Sequence, residues 1–333
     1  MLPVALDAMG GDAAPEANIE GAHRAVRDNG VPVLLVGDPD VIAAAGGDDL
    51  PVLPASEVIT MDDDPASAVR LKRDSSLNVA ARAVRDGVAS AMVSAGNTGA
   101  TMGAALLRMG RIKGVSRPAI ATPLPRPLGG HPTLLLDAGA NAECQPSWLV
   151  QFAQMGAVLA RHRFGVAAPT VAMLSIGEEK SKGNDLVKEA HALLAADGGA
   201  ALLAAGATFV GNVEGRDLLV DAADVVVCDG FTGNVALKTL EGGMKTLVTA
   251  LFGVFETDEA TKAAADVLLP HLLPLYGALD PNNTGGALLL GVDGVCIISH
   301  GSSNATAVAN AIGVAADAVQ RDLVGALRTA TVA

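Results

Sequence analysis

The sequence predicts an α/β fold built around a mainly parallel sheet. Short β-branched runs alternate with longer helical patterns, and several of the short runs are apolar at every position. Such alternation is typical of βαβ units, and continuous apolar strands are typical of sheets covered on both faces. Aromatic residues make up only 2% of the 333 residues, which argues against an aromatic-rich sandwich and against nucleic-acid binding by base stacking.

The strands and helices follow one another along the whole chain. The predicted strands are Val4–Leu6, Val33–Val36, Ala91–Ser94, Leu134–Leu136, Val171–Leu174, Thr208–Val210, Val225–Val227 and Val295–Ile298. The predicted helices are Ile19–Asn29, Val79–Asp86, Thr98–Arg108, Ser147–Arg163, Asp185–Ala196 and Ala305–Leu327. Gly30 and Gly87 mark helix ends, because glycine readily adopts the left-handed conformation that closes a helix. We expect residues 1–333 to form one α/β domain.

Residues 243–276 depart from this pattern and predict a protruding helical hairpin inside the domain. Leu251, Phe252 and Phe255 lie at helical spacing before an acidic turn, and a leucine-rich stretch interrupted by Pro270 and Pro274 follows it. One interpretation is a dimer interface or core packing. The other is a surface tip at which Leu251, Phe252 and Phe255 contact a membrane or an acyl chain.

The charge of the chain is strongly uneven. The formal net charge is −13, which disfavours nucleic acid as a partner, yet residues 66–126 carry ten basic and two acidic side chains. This basic segment predicts an anionic partner or substrate at one place. The three cysteines are widely spaced, and neither a signal peptide nor an apolar run of spanning length is present, so we expect a cytoplasmic protein without disulfides.

The ends of seven predicted strands combine glycine with Asn, Asp, Ser or Thr. Glycine lets backbone N–H groups approach an anion, and a following helix amino terminus favours negative charge. Neither a dinucleotide fingerprint nor a P-loop is present. These loops therefore predict a site for a small anion or phosphate, formed by Asp7, Gly10, Gly11, Ser94, Gly96, Asn97, Thr98, Gly99, Asp137, Asn141, Gly177, Glu178, Asp229, Thr232, Gly233 and His300.

Several of these side chains have two interpretations. Asp7, Asp12, Asp137 and Asp229 could bind a divalent metal, but aspartates at such positions more often cap loops, so we predict no metal site. Lys182 follows a strand beside a glycine and could bind a phosphate, or it could be a solvated loop lysine. His300 could exchange protons during a reaction or serve as a hydrogen-bonded structural residue.

Six segments, in this order, resemble the bacterial phosphate acyltransferase family (PlsX type). They are Asp7-Ala8-Met9-Gly10-Gly11-Asp12, Ser94-Ala95-Gly96-Asn97-Thr98-Gly99-Ala100, Asp137-Ala138-Gly139-Ala140-Asn141, Ile176-Gly177-Glu178-Glu179 with Lys182-Gly183, Gly211-Asn212-Val213-Glu214-Gly215-Arg216-Asp217, and Cys228-Asp229-Gly230-Phe231-Thr232-Gly233-Asn234-Val235. Two positions depart from the family pattern: Ser175 replaces an expected Asn, and Thr284 replaces an expected aromatic residue.

The resemblance implies a three-layer α/β/α fold similar to those of isopropylmalate dehydrogenases and phosphotransacetylases. It further implies transfer of an acyl group from acyl carrier protein to inorganic phosphate, with no cofactor, in a homodimer peripherally associated with the membrane. The acyl phosphate would then feed a glycerol-3-phosphate acyltransferase of phospholipid synthesis.

The residues suit this chemistry, because phosphate is itself a nucleophile and needs only positioning and charge stabilisation. We expect Lys182 to neutralise phosphate or transition-state charge and Asn234 to donate to the developing oxyanion. The acidic carrier protein is expected to dock on the basic segment at Arg108, Arg111 and Lys113.

Three alternatives stay open at this point. A phosphotransacetylase-like enzyme would act on short acyl-coenzyme A thioesters. A dehydrogenase of similar fold would need a nucleotide, for which the sequence has no fingerprint. A non-catalytic protein would only tether partners of lipid synthesis at the membrane.

Overall fold

The computed structural model describes residues 1–127 and 129–331, so Leu128, Val332 and Ala333 of the predicted domain lie outside the described residues. The strands are β1 (Val4–Asp7), β2 (Val33–Gly37), β3 (Val52–Pro54), β4 (Ala91–Ser94), β5 (Ala119–Leu124), β6 (Thr133–Leu136), β7 (Thr170–Leu174), β8 (Thr208–Val213), β9 (Val225–Val227), β10 (Ala287–Leu290) and β11 (Val295–Ile298). The helices are α1 (Glu16–Asn29), α2 (Pro39–Ala44), α3 (Pro65–Leu71), α4 (Ser76–Arg85), α5 (Thr98–Arg108), α6 (Pro146–Phe164), α7 (Asp185–Ala195), α8 (Gly230–Phe255), α9 (Glu259–Leu279), α10 (Ala305–Gln320) and α11 (Leu323–Ala330).

One sheet contains all these strands, in the order β3-β2-β1-β4-β11-β10-β5-β6-β9-β7-β8. Seven of its ten neighbouring pairs are parallel, which confirms the predicted fold class. The three antiparallel pairs are consecutive and involve β11, β10, β5 and β6. Because three reversals lie between them, the two parallel halves of the sheet run in opposite directions.

The predicted strands therefore do not all run in the same direction. β1, β4 and β11 run one way, and we call the loops that follow them the first edge. β6, β9, β7 and β8 run the other way, and we call the loops that follow them the second edge. Ile297 pairs with Leu288, Leu288 with Ala121 and Thr122 with Leu135, so β11 and β6 end at nearly the same level of the sheet. The predicted site residues are consequently divided between two sets of loops that meet from opposite directions.

Two of the strands that cause this reversal, β5 and β10, were absent from the sequence prediction, as was the short β3. β5 contains Pro123, which normally argues against a strand between two neighbours. Here β10 pairs only with Ala119–Ala121, and Pro123 faces β6 alone. The proline is tolerated because its missing N–H falls where the strand has a neighbour on one side only.

Helices cover both faces of the sheet. Successive residues of β1 point to opposite faces, so that Leu6 joins one apolar cluster and Ala5 joins the other. The first cluster is closed by α1, α6 and α10, and the second by α4, α5 and the start of α8. This arrangement is the three-layer α/β/α fold implied by the family resemblance.

α8 and α9 form the predicted hairpin, but α8 begins at Gly230 rather than near residue 243. Leu237 is the last residue that α8 buries, and α9 buries only Ala265. Beyond Leu237 the hairpin leaves apolar side chains exposed, including Leu247 at 71% and Val267 at 70%. Pro270 and Pro274 lie within α9 and do not end it. No helix in the described ranges is long and apolar enough to cross a membrane.

The last predicted helix, Ala305–Leu327, is divided into α10 and α11. Asp322 adopts a left-handed conformation with φ of 48° and caps α11 by accepting a hydrogen bond from the Gly325 N–H. An aspartate tolerates this conformation better than most residues, so the break costs little here.

Candidate active site

At the second edge, the loop after β6 is organised around the buried carboxylate of Asp137. This carboxylate accepts hydrogen bonds from the N–H groups of Ile120 (3.0 Å), Gly139 (3.1 Å), Ala140 (2.9 Å) and Asn141 (2.7 Å), and from the Asn141 amide (2.8 Å). Burial raises the pKa of Asp137, and these hydrogen bonds oppose the rise. Both carboxylate oxygens are therefore occupied in shaping the loop.

The first turn of α8 packs directly on this loop. Asp229 caps the helix by accepting hydrogen bonds from the N–H (2.8 Å) and the hydroxyl (2.8 Å) of Thr232. A Cβ added at Gly233 would overlap the carbonyl oxygen of Asp137. Glycine at this position thus lets the helix approach the loop.

This packing brings Asn234 to the loop. Its Nδ2 lies 3.2 Å from where a Cβ on Gly139 would stand, and Gly139 has φ of 140°, which disfavours any other residue. The Asn234 side chain is exposed and makes no hydrogen bond to any described residue. Its amide is available to donate to a ligand.

An open cleft of about 370 Å³ lies along this part of α8. Phe231 and Val235 are exposed at 67% and 52% and give it an apolar rim, while Asn234 and Lys238 supply its polar groups. The remaining lining residues are Gly139, Ala142 and Gly230.

At the first edge, the loops after β1 and β4 are joined through Asp7 and Ser94. The Ser94 hydroxyl donates to Asp7 Oδ2 (2.7 Å) and accepts from the Gly96 N–H (2.9 Å). A Cβ on Gly10 would overlap Asp7 Oδ2 and stand 2.9 Å from the Gly96 nitrogen. Burial raises the pKa of Asp7, against several hydrogen bonds that lower it. These residues hold the two loops together.

The neighbouring residue Asn97 caps α5, and Thr98 and Gly99 begin the helix. Asn97 caps the helix by accepting from the Ala100 N–H (3.1 Å), and its amide donates to the carbonyl oxygens of Met61 (3.3 Å) and Asp63 (3.5 Å). The amide that the sequence suggested for anion binding is thus engaged in holding residues 61–63. Thr98 is exposed, whereas a Cβ on Gly99 would stand 2.9 Å from Pro65.

The loop after β11 completes the first edge. The Asp12 N–H donates to the Gly301 carbonyl oxygen (2.7 Å), and Gly11, with φ of 106°, lies against the same carbonyl. His300 belongs to this loop. Its Nε2 is 3.2 Å from Glu241 Oε1, and its Nδ1 is 3.4 Å from Lys238 Nζ. Both partners belong to α8.

α8 therefore connects the two edges. Asn234 and Lys238 are one helical turn apart, about 6 Å along the axis. Asn234 contacts the second-edge loop and Lys238 contacts the first-edge loop. Lys238 and Glu241 were not predicted from the sequence, although their spacing of four and seven residues from Asn234 would have shown one helix face once the start of α8 was known.

Lys182 lies at the second edge but does not line the cleft. Its alkyl chain covers Gly177, where a Cβ would stand 2.8 Å from the lysine Cγ. The ammonium group is exposed and has no partner among the described residues. Glu178 is 3.9 Å from the Arg216 guanidinium, and the buried hydroxyl of Ser175 has no hydrogen-bond partner in the described chain.

The basic segment is less uniform than its composition suggests. Arg108 donates to Asn78 Oδ1 (2.8 Å) and to the Val69 carbonyl oxygen (3.4 Å). Desolvation lowers the pKa of Arg108, and nearby arginines lower it further. Arg126 is buried and paired with Asp221. Within this segment, five exposed cations have no carboxylate partner among the described residues: Arg70, Arg73, Arg111, Lys113 and Arg117.

The described residues contain no group of three His, Cys, Asp or Glu side chains that could hold a metal ion. Three of the four acids considered for such a role have other partners: Asp7 and Asp137 organise loops and Asp229 caps a helix.

The fold is that of the phosphotransacetylases. The structure is similar to EutD phosphotransacetylase from Staphylococcus aureus, with a TM-score of 0.60 and 18% identity over 96% of this chain and 94% of that one. A phosphotransacetylase from Streptococcus pyogenes gives a TM-score of 0.61 at the same identity and coverage.

The sequence comparisons define the family. The family model described as "Fatty acid synthesis protein" matches residues 2–325. The phosphate acyltransferase of Heliobacterium modesticaldum is 48% identical over 98% of this chain and 96% of its own length. That of Elusimicrobium minutum is 50% identical over 93% and 90%. The chain belongs to this family of acyltransferases.

Proposed function

We propose that this protein transfers the acyl group of an acyl-acyl carrier protein to inorganic phosphate, releasing free carrier protein and an acyl phosphate for phospholipid synthesis. The names of its relatives support phosphate as the acceptor. The structural observation that carries the proposal is the cleft along α8, where an unpaired amide and an ammonium group stand one turn apart inside an apolar rim.

The reaction needs no nucleophile from the protein. A phosphate oxygen attacks the thioester carbonyl, the C–O bond forms, and the carbonyl oxygen becomes an oxyanion. Collapse of this intermediate breaks the C–S bond, and the carrier thiolate takes up a proton. Asn234 is the donor that we propose for the oxyanion, because its amide is exposed at the cleft and has no partner among the described residues.

Lys182 is proposed to neutralise phosphate charge from the neighbouring loop. β7, which precedes this loop, pairs with β9, which leads into α8, so Lys182 belongs to the same edge as Asn234. Its unpaired ammonium group supports this role. Asp7, Asn97, Asp137 and Asp229 are proposed to act by holding the loops and helix starts that surround the substrates.

The carrier protein is proposed to dock on the exposed part of the basic segment. Arg111 and Lys113 fit this role better than Arg108, whose guanidinium is engaged by Asn78. A negatively charged carrier would be attracted to these unpaired cations over a distance of about one Debye length.

The α8–α9 hairpin is proposed to serve two purposes. Its exposed apolar side chains would bury surface in a homodimer, and its tip near Leu251, Phe252 and Phe255 would make a peripheral membrane contact. Phe252 and Phe255 pack edge-to-face with ring centroids 5.9 Å apart, so they form one compact apolar unit.

One assay tests the reaction. Free carrier thiol is measured after mixing protein with palmitoyl-carrier protein, in the presence and absence of phosphate. We expect release only with phosphate, and much slower release from acetyl-coenzyme A. Preference for acetyl-coenzyme A would instead favour the phosphotransacetylase activity of the structural neighbours, and binding without thioester loss would favour a tethering role.

A further inference from the structure

Lys238, Glu241 and His300 form a hydrogen-bonded triad at the cleft. Lys238 Nζ donates to Glu241 Oε2 (2.9 Å), and His300 Nε2 lies 3.2 Å from the other oxygen of the same carboxylate. His300 Nδ1 lies 3.4 Å from Lys238 Nζ. An ammonium group can only donate, so Nδ1 accepts from it; the neutral ring then carries its proton on Nε2, the nitrogen that faces Glu241.

The triad differs from an ordinary surface ion pair in two respects. The Glu241 side chain is only 23% exposed and bonds to partners on two separate elements, whereas most Lys–Glu pairs three residues apart are solvated and contribute little. Lys238 is also a lining residue of the cleft, on the same helix face as Asn234. Its ammonium group is thus fixed beside the proposed reaction centre.

Glu241 is the charged anchor of this arrangement. Partial burial alone would raise its pKa, but hydrogen bonds from His300 and Lys238 outweigh this effect and lower it. At neutral pH its carboxylate is therefore ionised and holds both neighbours. His300 in turn belongs to the loop whose Gly301 carbonyl binds the loop after β1, so the triad ties the first edge to α8.

We infer that Lys238 is a phosphate-binding residue of the reaction cleft, and that Glu241 and His300 are positioning residues that hold its ammonium group there. The inference rests on the proposed function, for which it supplies a second cation besides Lys182. Within the triad, the lysine side chain stays 54% exposed, so an incoming phosphate dianion can approach it.

The test is steady-state kinetics with phosphate as the varied substrate, together with the thermal unfolding midpoint with and without phosphate. Lys238→Ala should raise the KM for phosphate by about ten- to a hundredfold, the loss expected for one charge-assisted hydrogen bond. Phosphate should also stabilise the variant less than the wild type. Lys238→Arg, which keeps the charge, should recover part of the loss.

A matched control is Lys245→Ala, which removes an exposed lysine two turns further along α8 and outside the cleft lining. It should leave the KM for phosphate unchanged. If Lys238→Ala also left it unchanged in a folded protein, the inference would be overturned.

The positioning role is tested by a double variant. If Glu241 acts through Lys238, Glu241→Gln should weaken phosphate binding in the wild type but add nothing in the Lys238→Ala background. The same holds for His300→Gln. Independent, additive losses would contradict the positioning role and leave only a structural one.

The outcomes also separate this inference from the proposed function. If phosphate stabilises the wild type through Lys238 but no carrier is released, the proposed function is refuted and the phosphate-binding role of Lys238 is supported. If the wild type is active but its KM for phosphate does not change in Lys238→Ala, the proposed function is supported and the role of Lys238 is refuted.

Discussion

At the scale of single residues, the glycines of α8 differ in whether a side chain would fit at their position. Gly233 lies against the Asp137 carbonyl oxygen, whereas a Cβ on Gly242 would meet nothing within 4 Å. Gly233→Ala should reduce the free energy of unfolding by about 1–3 kcal/mol, because the helix must move off the loop. Gly242→Ala should increase it by about 0.5–1 kcal/mol through helix propensity. Denaturant unfolding of both variants checks this contrast, and equal effects would contradict the packing described at Gly233.

Asn234 gives a second residue-level prediction. Asn234→Ala should lower kcat about 10²–10³-fold, as loss of one oxyanion donor does. Asn97→Ala should act differently, mainly on stability, because its amide binds carbonyl oxygens of the protein itself. Kinetics and unfolding measured on both variants distinguish the roles; a loss of only a few-fold in kcat for Asn234→Ala would remove it from the mechanism.

Cys144 is near the cleft but should be chemically inert. Burial raises the pKa of its thiol to about 12, and the charge of Asp137 contributes. Reactivity requires the thiolate, which increases only as the pH approaches this value, so alkylation at pH 8 should be slower than that of a free cysteine by about three orders of magnitude. Mass spectrometry of iodoacetamide-treated protein follows this directly. Rapid modification of Cys144 in the folded protein would contradict the raised pKa of this half-buried thiol.

At the scale of elements, the sequence predicts those helices and strands whose signals lie in neighbouring residues. The bounds predicted for α5, Thr98–Arg108, agree with the structure because Asn97 is a strong cap directly before it. β5 and β10 escaped prediction because one contains Pro123 and the other reads as an undivided leucine run. The start of α8 escaped because its glycines, Gly230 and Gly233, are unfavourable for a helix and are required instead by contact with the Asp137 loop.

At the same scale, we predict that the tip of the α8–α9 hairpin mediates membrane binding. Leu251→Glu with Phe255→Glu should release the protein from anionic liposomes without abolishing carrier release, because the tip is remote from the cleft lining. Thr246→Glu with Thr249→Glu adds the same charge at polar positions of the same helix and serves as the control. Vesicle sedimentation measures both. Unchanged sedimentation of the first variant would assign the hairpin to dimer packing alone.

At the scale of the whole molecule, the net charge of −13 conceals an exposed group of unpaired cations. The KM for the carrier should rise with ionic strength, and Arg111→Glu with Lys113→Glu should raise it further. Arg216→Glu with Lys188→Glu makes the same change in net charge elsewhere on the surface and should have a smaller effect. If the KM for the carrier changed neither with ionic strength nor in the Arg111→Glu/Lys113→Glu variant, this docking surface would be excluded.

The direction of the sheet halves is the feature of the whole molecule that sequence patterns could not supply. No single loop motif was specific, and the family resemblance followed from the order of all six. Their division between two edges depends on strand reversals at β10 and β5, which are set by long-range pairing rather than by local propensity. The connection through α8, and with it Lys238 and Glu241, became visible only in three dimensions.

The most direct test of the proposed reaction is phosphorus NMR of the wild-type protein incubated with palmitoyl-carrier protein and phosphate, with free carrier thiol measured in parallel. We expect a new acyl phosphate resonance that grows in equal amount with the released thiol and is absent without protein. Thiol release with no acyl phosphate signal, or at the same rate without phosphate, would contradict it.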